Sequence, residues 1–168
     1  IHRKGFDLLP QAFAEVKNLP KDWQMLIIGG GEEKKRLQRQ IDQLGLTEHI
    51  LLIGTKNKDE IIPLLQKSDA FILPSRNENF SVAVLEALAC GVPVISSICG
   101  GIRECINEQN GLLFEVDDVE GLTKAIQTMV DQPEIFDHKA IAEDYQKRFS
   151  PEGMAKRLTK IFEHTIHN

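Results

Sequence analysis

Two carboxylates, Glu78 and Glu86, stand with seven residues between them in the stretch SRNENFSVAVLEALACGVPV, Ser75 to Val94. One sits in a polar, turn-like approach and the other inside an apolar helical pattern. A helix starting near Ser81 leaves the N–H groups of Val82, Ala83 and Val84 without intrahelical acceptors. An anion placed there gains ~0.3–1 kcal/mol from the helix dipole, or ~2 kcal/mol in a partly buried site. Glu86 lies about five residues in, hence ~7.5 Å along the axis at ~1.5 Å per residue. That is the reach from a phosphate to the hydroxyls of an attached ribose, and a carboxylate has two oxygens for two neighbouring hydroxyls. Glu78, across the helix start, is placed for a group beyond the phosphate. The bland reading of Glu86 is a helix-surface glutamate. Val84, Leu85, Ala87, Leu88 and Ala89 weaken it by leaving little polar face, and a buried carboxylate needs partners.

The elements that must position these groups alternate in type. Short apolar runs at Gln24–Gly29, Ile50–Ile53, Ala70–Leu73, Val94–Ser96 and Gly111–Phe114 read as buried strands. Between them lie helical patterns at Glu32–Leu44, Asp59–Gln66, Ser81–Ala89 and Ile102–Ile106, and the chain from Val119 onward is helical. This alternation predicts an α/β fold, a Rossmann-like doubly wound parallel sheet with helices on both faces. The start is unusual, because Phe6, Leu9, Phe13 and Val16 form a helical pattern with no strand before it. We expect a first strand of the sheet to lie upstream of Ile1, missing from this chain. Ligands in such sheets bind at the carboxyl ends of strands. That rule selects the loops around Lys4, Gly29–Gly31, Gly54–Lys56, Pro74–Phe80 and Ser97–Gly101, each of which alone could be a plain turn. The three-glycine run lacks the spacing of a dinucleotide fingerprint, so a nicotinamide enzyme is not favoured.

Bulk properties exclude several classes. At 168 residues, the chain fits one domain, 1–168, with a substantial core. A net charge of -5 argues against a general nucleic-acid binder. Cys90, Cys99 and Cys105 lack a C-x-x-C pairing and read as buried free thiols in a reducing compartment. No apolar run is long enough to span a bilayer, and the five histidines have no metal-ligand spacing. Asp117-Asp118 resembles a metal motif, but capping of the following helix explains it better. Met154, Leu158, Ile161 and Phe162 share a helical face expected to pack on this domain or on a missing one.

The stretch PSRNENFSVAVLEALACGVPVI resembles the signature of the retaining glycosyltransferases of GT-B architecture, the group-one or family-four type. Their C-terminal domains carry P-S, then E-x-F-G, then E-A-x-A-x-G-x-P-V. Lys4-Gly5-Phe6-Asp7, Ile28-Gly29-Gly30-Gly31, Gly54, Gly100-Gly101 with Glu104, and Asn110-Gly111-Leu112 agree, in order, over almost the whole chain. Two departures stand out. Ser81 replaces the usual glycine, and the strand ending in a glycine-arginine pair is absent.

The resemblance implies a nucleotide-sugar-binding domain whose acceptor-binding N-terminal domain is absent from this chain. Lys4 would neutralise the donor diphosphate, and Glu78, the catalytic candidate, would hydrogen-bond the transferred sugar. Glu86 would hold the ribose. The backbone at Phe80, Ser81 and Val82 would touch sugar and distal phosphate, while Gly30 and Thr55-Lys56 would lie by the base. Glu104 divides evenly between loop support and site. The implied reaction transfers a sugar from a uridine- or guanosine-diphosphate donor to an acceptor hydroxyl with retention, as in polysaccharide biosynthesis. It needs no cofactor and no metal, and the 168 residues alone are expected to be inactive. The acceptor would be a carbohydrate or lipid-linked molecule, and the location cytoplasmic or at the inner membrane surface. Two alternatives are a sugar-nucleotide epimerase and a non-catalytic GT-B-like partner subunit, the second disfavoured by intact Glu78 and Glu86.

Overall fold

The computed structural model describes residues 2–166. A short 3-10 turn at His2–Lys4 leads into α1 (Leu8–Glu15), and five strands then alternate with helices. These are β1 (Met25–Ile28), α2 (Lys34–Gln43), β2 (Ile50–Gly54), α3 (Lys58–Leu65), β3 (Phe71–Leu73), α4 (Val82–Ala89), β4 (Val94–Ser97), α5 (Ile102–Cys105) and β5 (Gly111–Phe114). Three helices close the chain: α6 (Val119–Asp131), α7 (His138–Arg148) and α8 (Pro151–Ile166). All strand pairs are parallel, as the crossover helices require.

The parallel α/β arrangement expected from the alternation is present, with the strands in two ladders. β1 pairs with β2, β4 pairs with both β3 and β5, and no ladder joins the two sets among the described residues. Met25 faces Ile50 in the first ladder, and a bulge between Ile27 and Ile28 brings Ile28 opposite Gly54. In the second, Ile72 faces Ile95 and Ile95 faces Leu112.

Strand β4 is buried along its whole length, which explains its apolar start and makes its two serines chemically demanding. Ser96 Oγ donates to the Leu73 carbonyl at 3.0 Å, and Ser97 Oγ donates to the Ser75 carbonyl. Buried hydroxyls without partners would cost free energy. Here they fasten the loop after β3 to the neighbouring strand.

Helix α1 packs between the segment before β1 and helix α6. Phe13, almost fully buried, stacks on Trp23 just before β1 with ring centroids 4.7 Å apart. Thr123 Oγ on α6 donates to the Ala12 carbonyl at 3.4 Å, and Gln127 of α6 accepts from the Lys17 amide at 2.8 Å. Burial of a side chain like Phe13 contributes roughly 1.5–3 kcal/mol. Helix α8 leaves one of the two expected partners for its apolar face, this domain, unused. Met154, Leu158 and Phe162 are exposed, so the apolar face read from their spacing does not pack on this chain. The side chain of Ile161 lies outside the described residues.

Candidate functional site

The loops at the carboxyl ends of the strands converge, and two segments far apart in sequence are stitched together. The Arg76 amide donates to the Arg3 carbonyl at 2.9 Å, and Arg3 Nε donates to the Asn77 carbonyl at 3.1 Å. Gly5, at φ +66, lies so close to the Pro74 carbonyl that an added Cβ would fall 1.8 Å from its oxygen. No side chain fits there. Lys4 and Glu78 meet in consequence: Lys4 Nζ donates to Glu78 Oε2 at 2.6 Å. The Glu78 side chain is 10% exposed and that of Lys4 42%. A longer contact, 3.4 Å, comes from Ser75 Oγ to the same carboxylate oxygen.

Glu78 is seated by a second close approach. The Gly101 amide donates to the Asn79 carbonyl at 2.9 Å. A Cβ on Gly100, at φ +53, would lie 1.6 Å from the Glu78 carbonyl oxygen. The glycine pair after β4 is therefore the floor beneath the Glu78–Phe80 loop.

Helix α4 begins where the sequence placed it. Ser81 is its N-cap residue, extended at φ -94, and its side chain caps nothing. The first turn holds no acidic residue, so the N-terminal N–H groups keep their positive end. The negative φ shows that this position does not require glycine. Ser81 is buried, while Phe80 and Val82 are exposed on either side of it. Glu86 is half-buried on the next turn and makes no side-chain hydrogen bond or ion pair among the described residues. Its charge, after burial itself, helps push the Cys90 thiol pKa up.

Across the site, Gly30 and Thr55 are neighbours, since a Cβ on Gly30 would sit 3.8 Å from Thr55 Cγ2. A shallow apolar recess beside them is lined by Phe6, Ile27, Gly29, Lys34, Leu37 and Leu52. Lys56 is turned away to Glu60 at 2.7 Å, within the capping box that starts α3. Glu104 is exposed on α5, and its side chain touches no loop backbone by a hydrogen bond among the described residues. No cluster of three potential metal ligands occurs among the described residues.

Sequence reasoning overlooked one heavily bonded side chain. Arg76 donates from Nη1 and Nη2 to the two Asp7 oxygens at 2.7 and 2.8 Å, and from Nε to Asp117 Oδ1 at 2.6 Å. The Asp7 bonds first, then Asp117, hold the guanidinium pKa above its ordinary value against a desolvation cost. Of the acidic pair read as a cap, only Asp118 caps, accepting from the Gly121 amide at 2.8 Å. The signal was an arginine inside the motif stretch, but nothing local named its partners.

Comparison with known proteins places the chain among its relatives. A family model described as "Glycosyl transferases group 1" matches residues 1–149. The chain is 30% identical over 172 residues to a GDP-mannose-dependent monoacylated alpha-(1-6)-phosphatidylinositol monomannoside mannosyltransferase of Corynebacterium glutamicum, covering 97% of this chain and 45% of that protein. Sucrose-phosphate synthase from Thermosynechococcus elongatus superposes with a TM-score of 0.83 at 26% identity, over 99% of this chain and 43% of that one. Anabaena Alr3699/HepE in complex with UDP-glucose superposes with a TM-score of 0.78 at 24% identity, over 96% of this chain and 46% of that one. The chain thus spans less than half the length of the curated relatives it matches, 42–45% for three of them.

Proposed function

The chain belongs to the group 1 glycosyl transferases, and we propose that, within a longer protein, it binds a nucleoside-diphosphate sugar for transfer of the sugar to an acceptor hydroxyl with retention. The observation that carries this reading is the Lys4–Glu78 pair beside the uncapped start of α4. A cation and a row of free N–H groups suit a diphosphate, and a part-buried carboxylate beside them suits sugar hydroxyls.

In this reading the donor lies across the strand ends. Lys4 and the N–H groups of α4 stabilise negative charge developing on the leaving diphosphate. Glu78 holds the sugar, Glu86 the ribose, and Gly30 with Thr55 the base beside the apolar recess. The backbone of Phe80, Ser81 and Val82 contacts sugar and distal phosphate. No metal is required, because Lys4 and the helix end supply the positive charge. The named donor of the Corynebacterium relative is GDP-mannose and the ligand of the Anabaena structure is UDP-glucose, which supports a nucleotide sugar of either base. The acceptor site falls to another domain, so these 168 residues alone bind donor weakly and transfer nothing. No described helix is long and apolar enough to cross a membrane, and we place the protein in the cytoplasm or at its membrane surface.

Calorimetry of the intact protein with UDP, GDP and ADP tests the proposal. Saturable binding of one diphosphate is expected. Absence of binding to all three would favour a non-catalytic subunit.

A further inference from the structure

We propose that Arg76 is a positioning residue that sets the spacing between Lys4 and Glu78, a role that rests on the donor reading of that site. Arg76 belongs to neither end of the pair yet controls the approach of both. Its amide is bound to the Arg3 carbonyl, one residue before Lys4, and Glu78 follows it by two residues. Its guanidinium grips Asp7, three residues after Lys4, with two parallel bonds and reaches Asp117 with a third. One side chain, 17% exposed, therefore joins the segment before α1, the loop after β3 and the loop after β5.

Both acidic partners give up a local preference to make this contact. Asp7 occupies the N-cap position of α1, where an aspartate ordinarily accepts from the helix amides, yet its side chain caps nothing. Asp117 takes a left-handed backbone, φ +61, that disfavours a side chain. Its neighbour Asp118 does the capping instead. A lysine at position 76 could not reproduce the arrangement. An ammonium is a point charge, and only the planar fork binds one carboxylate with two nitrogens while offering a third to another.

The test uses Arg76→Gln, Arg76→Lys and Asp117→Gly in the intact protein. Affinities for UDP and GDP are read by calorimetry, alongside thermal midpoints and amide exchange of residues 3–8 and 74–80. Arg76→Gln is expected to weaken the bound nucleotide about tenfold, ~1.4 kcal/mol, and Arg76→Lys nearly as much. Exchange in both segments rises, while exchange in the buried strand Val94–Ser97 holds. Asp117→Gly separates positioning from bulk stability. It relieves the left-handed backbone while removing one partner of Arg76, so the midpoint holds or rises as affinity falls roughly twofold to threefold. Wild-type affinity in a folded Arg76→Gln protein, or affinity tracking the midpoint in every variant, would overturn the role. Unchanged exchange in both segments would overturn it independently of any nucleotide. If the wild-type protein binds neither UDP nor GDP, the donor reading fails, and the exchange comparison still decides whether Arg76 holds the two segments.

Discussion

Replacing Glu78 by glutamine separates two jobs that its contact with Lys4 couples. The isostere keeps the shape and removes the charge that Lys4 Nζ approaches at 2.6 Å. Because the Lys4 side chain is 42% exposed, solvent screening keeps the pair near ~0.2–1 kcal/mol. A diphosphate entering the wild-type site must draw Lys4 away from Glu78 and lose that amount. In Glu78→Gln this cost disappears, so UDP or GDP should bind up to about fivefold more tightly. A sugar nucleotide shares that gain but exchanges a charge-assisted hydrogen bond of ~1.5–3 kcal/mol for a neutral one of ~0.5–1.5 kcal/mol. The preference for UDP-glucose over UDP, or for GDP-mannose over GDP, should therefore shrink by about 1–1.5 kcal/mol, or roughly fivefold to tenfold. Paired titrations on wild type and variant measure both numbers, with thermal unfolding as the check on folding. A variant that keeps its fold but loses tenfold affinity for the bare diphosphate would refute the exchange of partners. Glu78 would then be supporting the diphosphate directly.

Gly100→Ala should place its Cβ against the Glu78 carbonyl and cost about 1–3 kcal/mol in urea unfolding, with donor affinity falling through displacement of the same loop. The Cys105 thiol pKa is raised, mainly by burial, and that of Cys90 by burial and then by Glu86. Both should react with iodoacetamide more slowly than unfolded cysteine at neutral pH. The linkage has one sign. The native state holds these protons more tightly, so their contribution is complete below the ordinary thiol value of about 8.5. It is lost as pH rises through the higher folded values, and unfolding midpoints measured from neutral to alkaline pH should fall accordingly.

Much of this architecture was written in local patterns. Each strand announced itself as an apolar run, the first three closed by glycine or proline, and α4 by the polar approach to Ser81 and the stop at Gly91 and Pro93. The candidate site was legible because Glu78, Ser81 and Glu86 lie on one turn-and-helix unit. Long-range choices were not legible. Arg76 finds Asp7 at a separation of 69 residues and Asp117 at 41, among 25 acidic residues of similar local appearance. Asp117 read as a cap because its neighbour is one. The division of the strands into two ladders depends on pairing partners rather than on propensity. Periodicity showed that Met154, Leu158 and Phe162 share a face, but no pattern shows what covers it.

The two ladders also bear on what a bound donor would join. In the proposed site, Gly30 and Thr55 stand on the loops after β1 and β2, while Glu78 and Glu86 follow β3. A bound donor would bridge the loops of both ladders and stabilise the folded protein by mass action, by ~2.7 kcal/mol at a hundred times its Kd. The thermal midpoint would then report whether the site is filled.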